Sequence, residues 1–182
     1  RLEYLRGELR AERISYGELR ERAARVAAVW RARGLPPGGR VAIKLPDGGD
    51  WVSAFLGTMW AGGIAVAVNP RIPAPEWQYI LDEAGFHVIL ADSAEDVPPP
   101  WCERVAPLAA WRQEVAAATP IAAQPVHPDT PALWCHSSGT SGKPKAVVHA
   151  HRIVRQIEQV SREGLGIVAG DRLFATSKLF FA

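Results

Sequence analysis

The sequence has little cysteine and little net charge, and it lacks long hydrophobic runs. Its two cysteines, Cys102 and Cys135, are too few for a disulfide framework, so we expect reduced thiols in a reducing compartment. A formal net charge of +2 does not by itself predict a nucleic-acid partner. With no signal peptide and no run of about 18 apolar residues, the sequence predicts a soluble, cytoplasmic protein without a membrane partner.

The length of 182 residues suits one domain or part of one, and a hydrophobic content of 48% is ample for a core. The chain begins at Arg1 without methionine and stops within an apolar run, residues 179–182. We therefore expect residues 1–182 to form one partial domain that is truncated at both ends. The seven tryptophans are spread along the chain, which favours packing roles over a stacking platform for nucleic acid.

Helices and strands are predicted to alternate in the first half of the chain. Ser15 and Glu18 have the spacing of a capping box, which favours a helix that starts here and ends at Gly34. Apolar runs and helical periodicity then predict strands over 40–45, 64–68 and 86–90, with helices over 51–60 and 75–84 between them. This alternation predicts an α/β fold with a mostly parallel β-sheet and flanking helices.

The flanking segments are less regular. Residues 2–13 suggest a hairpin around Gly7. A short helix over 108–118 and an extended, proline-rich connection over 119–131 are predicted in the middle of the chain. Further on, we expect an amphipathic segment over 151–164 and a last strand over 172–176.

One stretch of hydroxylated residues and glycines separates two apolar runs, 131–135 and 146–149. It contains Ser137, Ser138, Gly139, Thr140, Ser141, Gly142, Lys143, Pro144 and Lys145. Glycines without a Cβ allow backbone N–H groups to converge on an oxyanion, and the hydroxyl groups add donors. The chain has only four lysines, and two of them add compact positive charge here. The pattern predicts a phosphate-binding loop between two strands.

Two other interpretations of this stretch are disfavoured. A flexible surface linker would share the composition, but it would not be expected between two apolar runs or to end in Pro-Lys. The Walker A spacing of kinases and GTPases is absent, because proline follows Lys143. The residues alone leave the identity of the bound polyphosphate open.

The segment from Ser137 to Lys145 resembles the phosphate-binding signature of the adenylate-forming, or AMP-binding, superfamily. The usual pattern is aromatic, Thr/Ser, Ser, Gly, Ser/Thr, Ser/Thr, Gly, any residue, Pro, Lys, Gly. Two positions depart from it: His136 replaces the aromatic residue, and Ala146 replaces the final glycine. Residues 14–19 and 60–70 are also similar to the start of the superfamily's large N-terminal domain. Residues 177–182, Ser-Lys-Leu-Phe-Phe-Ala, are similar to the next motif in benzoate- and hydroxybenzoate-CoA ligases.

The resemblance implies an ATP-dependent acid–CoA ligase of the acyl-CoA synthetase type, with ATP, Mg²⁺ and CoA taking part and a small-molecule carboxylate as partner. In such enzymes the carboxylate and ATP form an acyl-adenylate, which CoA then converts to a thioester. Phe181 would line the acyl pocket, Lys145 would be catalytic, and no metal ligand is expected in this chain. The residues implied to bind the nucleotide phosphates are Ser137, Ser138, Gly139, Thr140, Ser141, Gly142, Lys143 and Lys145.

The family's later motifs and small C-terminal domain are not in this sequence, so residues 1–182 alone are expected to be inactive. A fatty-acyl-CoA ligase, an amino-acid adenylation domain and a non-catalytic phosphate-binding module are the alternatives, and Ala146 gives the last its support. The sequence does not indicate which acid is used or the oligomeric state.

Three histidines near the loop also need an explanation. His149 and His151 would lie on one side of an extended strand, as a metal-binding pair would, but no cysteine or carboxylate ligand is near them in sequence. We therefore favour a helix-start or hydrogen-bonding role for His151. His136 is expected either to contact the nucleotide or to lie within the strand.

Overall fold

The computed structural model describes residues 2–5, 8–137 and 143–181; for 2–5 and 8–11 only the backbone is described. Strands β1 (Leu2–Leu5) and β2 (Glu8–Ala11) pair antiparallel. This confirms a hairpin at the start of the chain, although the expected turn at Gly7 lies outside the described residues.

A second sheet forms the centre of the molecule. Its strands are β3 (Arg40–Lys44), β4 (Ile64–Ala67), β5 (Val88–Ala91), β6 (Val105–Pro107), β7 (Pro131–Ser137) and β8 (Lys145–Ala150). The spatial order is β6-β5-β3-β4-β7-β8, and every neighbouring pair is parallel except β7 and β8, which are antiparallel. The predicted α/β fold with a mostly parallel sheet is therefore confirmed. Strand β6 was not predicted, because its three residues lead directly into a helix.

The structure describes five α-helices, and all but the last pack against the faces of this sheet. They are α1 (Tyr16–Ala32), α2 (Gly49–Trp60), α3 (Ala74–Ala84), α4 (Leu108–Ala117) and α5 (Ile153–Gln159), and α5 continues into one wider turn of π geometry, Val160–Gly164. The capping box at α1 is confirmed, since Ser15 N donates to Glu18 Oε2 at 2.7 Å and Glu18 N donates to Ser15 Oγ at 3.2 Å. Gly85 ends α3 in the left-handed region, with φ of 56°.

The core consists of two apolar layers, one on each face of the sheet. On one face α1, α2 and α4 pack together, and Trp30 stacks on Trp111 with ring centroids 5.9 Å apart. On the other face α3 contributes Trp77 and Ile80. Strands β4 and β5 are buried along their whole length, which explains why their sequences are continuously apolar rather than alternating.

The prediction of a last strand over 172–176 is wrong. These residues form no strand and are exposed, with Leu173 at 74% and Phe174 at 86% of full exposure. A strand needs a neighbour to satisfy its backbone groups, and none of the described residues pairs with this segment. The apolar stripe of α5 is exposed as well, at Val154 and Ile157.

Helices α1 and α2 approach each other closely at Gly57 of α2, which has no side chain. A Cβ atom added to Gly57 would lie 2.4 Å from Val26 Cβ, well inside van der Waals contact.

Replacing Gly57 with alanine is therefore expected to push the helices apart and lower the free energy of unfolding by about 1–3 kcal/mol. Gly17→Ala is the matched control, because its added Cβ would meet nothing closer than 3.9 Å. We expect the control to be neutral or to stabilise α1, with both variants measured by chemical denaturation; equal effects would contradict the close-approach explanation.

His87 links stability to pH. Its Nδ1 accepts a hydrogen bond from Arg40 N at 3.2 Å, and burial together with the charges of Arg40 and Arg104 lowers its pKa. Below the ordinary histidine pKa of about 6.5, the unfolded chain therefore binds a proton at His87 more readily than the folded protein does. The free energy of unfolding should fall as the pH drops through that value.

His87→Asn keeps an acceptor but does not titrate. Denaturation midpoints measured from about pH 8 to pH 5 should decline less steeply for this variant than for the wild type, while the two should agree near pH 8. Identical slopes would show that His87 does not contribute to the acid sensitivity.

Candidate functional site

A cleft of about 370 Å³ opens at the edge of the sheet where the parallel strands β4 and β7 end. Crevices outside the carboxyl ends of parallel strands are the usual ligand-binding position in open α/β sheets. Five separate segments line it: the end of β4 with the following loop, α3, the end of β7, Pro144, and residues 180–181. Its lining residues are Ala67, Val68, Asn69, Ile72, Pro73, Glu76, Ile80, His136, Ser137, Pro144, Phe180 and Phe181.

The predicted phosphate-binding loop adjoins this cleft. Ser137 is the last residue of β7 and pairs across the ladder with Lys145, the first residue of β8; Ser137 Oγ donates to the Lys145 carbonyl oxygen at 3.5 Å. The two ends of the loop are therefore held side by side at the carboxyl edge of β7. Ser138, Gly139, Thr140, Ser141 and Gly142, the remaining predicted phosphate-binding residues, lie outside the described residues.

The two lysines of the loop have different surroundings. Lys143 Nζ lies 5.2 Å from the centroid of the Tyr79 ring on α3, in a cation–π contact. Lys145 is exposed at the start of β8, and Pro144 between them is buried and lines the cleft. One ammonium group thus lies against α3, and the other is presented to solvent beside the cleft.

His136 lies within β7 and also lines the cleft. Burial lowers its pKa, an effect that a backbone hydrogen bond with Ala67 and the charge of Glu83 partly oppose, so the ring is held neutral near neutral pH. Its Nδ1 is buried and has no hydrogen-bond partner. The sequence left two roles open for His136, contact with the nucleotide and a place within the strand. These roles are compatible, because His136 belongs to β7 and also lines the cleft.

Phe181 forms the outer wall of the cleft. It is 69% exposed and stacks on Phe180 with ring centroids 5.2 Å apart. Phe180 in turn packs against the core layer that α1, α2 and α4 share. The structure thus brings Phe181, Ser137 and the lysine-bearing loop to a single cleft, although 36 residues or more separate Phe181 from the loop in sequence.

Sequence reasoning missed Asp47, in the loop between β3 and α2. Its Oδ1 accepts a hydrogen bond from Leu179 N at 3.0 Å, and its Oδ2 lies 3.2 Å from Lys178 Nζ. No local pattern reveals this residue, because its partners are 131 and 132 positions away. Asn69, which lines the cleft at the end of β4, was not among the predicted site residues, although it falls within residues 60–70, which share the family resemblance.

The remaining candidates receive no support as ligands. Within 12–137 and 143–181, no group of three or more histidine, cysteine, aspartate or glutamate side chains is placed to hold a metal ion. Burial lowers the pKa of His151, and its Nε2 is buried without a hydrogen-bond partner. The backbone N of His151 donates to the Thr130 carbonyl oxygen at 2.9 Å, a bond that does not depend on the side chain. Cys102 and Cys135 are free, and burial raises the pKa of Cys135.

In the described part of the chain, no helix combines the length and apolar character needed to cross a membrane.

Comparison with known proteins gives concordant matches. The chain is 37% identical to the 3-hydroxybenzoate–CoA/4-hydroxybenzoate–CoA ligase of Thauera aromatica, over 94% of this chain and 36% of that protein. It superimposes on a benzoate CoA ligase from Burkholderia xenovorans LB400 with a TM-score of 0.78 and 29% identity, covering 92% of this chain and 36% of the other. For the Klebsiella oxytoca NpsA N-terminal subdomain in complex with 3-hydroxybenzoyl-AMSN, the TM-score is 0.65 and the identity 31%, over 78% of this chain and 35% of that one.

The chain thus spans about a third of the length of these relatives. A family model described as "AMP-binding enzyme" matches residues 4–182. Because that match covers nearly the whole chain and includes the segment between β7 and β8, the protein belongs to the AMP-binding enzyme family.

Proposed function

We propose that this chain is part of an ATP-dependent acid–CoA ligase that activates an aromatic carboxylate, and that its phosphate-binding loop holds the nucleotide. The observation that carries the proposal is the position of that loop. Its ends, Ser137 and Lys145, are paired at the carboxyl edge of the sheet, beside a cleft with an aromatic wall.

The proposed reaction has two steps. A carboxylate oxygen attacks the α-phosphorus of ATP, and the bond to the bridging oxygen breaks, so that acyl-adenylate forms and pyrophosphate leaves. The CoA thiol then attacks the acyl carbon, loses its proton, and releases AMP. Because the carboxylate is already ionised near neutral pH, the first step needs no strong general base. Its barrier comes from bringing two anions together, and positive charge and oriented donors lower that barrier.

The loop residues suit that task. Lys145 is exposed beside the cleft, where its ammonium group is available to the phosphates. Lys143 and the hydroxyl groups of Ser137, Ser138, Thr140 and Ser141 complete the proposed set of donors, with the backbone of Gly139 and Gly142. Mg²⁺, when bound, would neutralise phosphate charge. The described residues offer no cluster of ligands for it, and we assign no residue of this chain to the metal.

An aromatic acid is the proposed substrate for two reasons. The cleft is lined mainly by apolar groups and closed on one side by the stacked rings of Phe180 and Phe181, a surface that suits a flat ring. The ligase of Thauera aromatica and the benzoate CoA ligase of Burkholderia xenovorans carry names of aromatic acids. Phe181 is proposed as an acyl-pocket residue on this basis. The two free cysteines support the cytoplasm as the proposed location.

The non-catalytic alternative rests on Ala146, and the structure weakens that support. Ala146 lies in β8 and pairs with His136 across the ladder. Extended backbone accepts alanine as readily as glycine, so the substitution does not require a loss of phosphate binding.

Lys145→Ala in the complete protein should lower the rate of ATP–pyrophosphate exchange by about 10²- to 10³-fold, the scale of removing one preorganised donor, about 2.7–4 kcal/mol. The matched control is Arg20→Ala, which removes one positive charge from the exposed face of α1. We expect the control to retain wild-type exchange. Undiminished exchange in Lys145→Ala, with folding intact by circular dichroism, would contradict the role given to this lysine. Absence of exchange in the wild-type protein with every acid tested would instead favour a non-catalytic module.

The choice of acid is tested by the same assay with a panel of carboxylates. Benzoate and 3-hydroxybenzoate should support exchange at least about tenfold better than octanoate or phenylalanine, because the proposed pocket has an aromatic wall. Preferential exchange with octanoate would identify a fatty-acyl ligase, and preferential exchange with phenylalanine would identify an amino-acid adenylation domain.

Residues 1–182 alone should form no acyl-adenylate with any of these acids. Product formation by the isolated chain would show that the later family motifs are dispensable.

A further inference from the structure

The loop between β3 and α2 reaches across the molecule to residues 178–181. Asp47 makes both contacts: its Oδ1 accepts from Leu179 N at 3.0 Å, and its Oδ2 pairs with Lys178 Nζ at 3.2 Å. Strand β3 fixes this loop, since its residues are buried in the middle of the sheet between β4 and β5. Asp47 thus attaches a surface segment to a loop that is anchored at the buried centre of the fold.

The attached segment carries the wall of the cleft. A hydrogen bond from Phe181 N to the Lys178 carbonyl, at 3.1 Å, closes a turn over residues 178–181. Phe180 packs against the core and Phe181 stacks on Phe180. The position of this turn therefore determines the positions of both rings. The flanking residues 172–176 form no helix or strand and are exposed, so they give the turn no regular support.

We propose that Asp47 is a positioning residue for the binding of the carboxylate substrate: by holding the turn over residues 178–181, it sets the place of the Phe180–Phe181 wall. This inference rests on the proposed function, because it assigns the wall to the acyl pocket. Asp47 does not line the cleft, and the side-chain contacts described for it are with Leu179 and Lys178, so we expect its effect to fall on the acid and not on ATP.

The two contacts of Asp47 differ in strength. Lys178 has 62% and Asp47 32% of its side chain exposed, so their ion pair is screened by water and contributes little. The hydrogen bond from Leu179 N fixes the backbone directly and is charge-assisted. Asp47→Asn keeps an acceptor for that N–H and loses the ion pair, whereas Asp47→Ala loses both. The effect should therefore be graded, with Ala much more severe than Asn.

The chain offers a matched control in Asp50, three residues further on in α2. Its Oδ2 lies 2.6 Å from Arg112 Nη2, so Asp50→Ala removes an ion pair of the same kind, between α2 and α4 and away from the cleft. A general loss of stability on removing an aspartate here would appear in both variants.

The test is steady-state kinetics on the complete protein, with benzoate or 3-hydroxybenzoate as the varied acid. Asp47→Ala should raise KM for the acid about 3- to 10-fold, the scale of one hydrogen bond, and leave KM for ATP and kcat within about twofold. Asp47→Asn should recover most of the wild-type KM, and Asp50→Ala should equal the wild type. An unchanged KM for the acid in Asp47→Ala, or equal changes in Asp47→Ala and Asp50→Ala, would overturn the inference.

Hydrogen exchange provides a readout that does not depend on activity. Peptides covering residues 177–181 should exchange faster in Asp47→Ala than in the wild type or Asp50→Ala. Unchanged exchange would show that Asp47 does not hold the turn, and the inference would fail. A wild type that activates no aromatic acid would instead refute the proposed function, while the exchange measurement would still report on the attachment itself.

Discussion

The structure depends on the burial of the central parallel strands between two layers of helices. Strands β3, β4 and β5 present apolar side chains to both layers, and their register is fixed because a slip of one residue would exchange every side chain between the layers. Parallel strands all end at the same edge. Burial of the sheet therefore also determines where loops meet and where a cleft can open.

That edge brings together groups proposed to bind two different substrates, ATP and the carboxylic acid. In the proposed function, the lysine-bearing loop between β7 and β8 would supply positive charge and donors for phosphate, and the turn at 178–181 would supply aromatic surface for an acyl group. His136 lines the same cleft; burial lowers its pKa, and its buried Nδ1 has no hydrogen-bond partner. The site is thus divided into a polar part, suited to the nucleotide, and an apolar part, suited to the acid.

The two departures from the family signature have different structural settings. Ala146 lies in extended backbone in a β-ladder, where the missing glycine imposes no strain. His136 places a titratable ring where an aromatic one is usual, and burial keeps that ring uncharged. Both residues are accommodated in the paired strands at the ends of the predicted phosphate-binding loop, and His136 also changes the chemistry of the cleft wall.

The sequence by itself determined the elements whose signals are local. The capping box at Ser15, the apolar strand over 64–68 and the glycine after α3 correspond to observed elements, and the order of residues 137–145 identified the family. The failed strand over 172–176 shows the limit, because strand formation depends on a partner that periodicity cannot supply. Only the tertiary structure decided that Asp47 holds the turn bearing Phe180 and Phe181, and that His136 faces the same cleft. These relations join residues far apart in sequence, and they exist only once the sheet has brought its strand ends to one edge.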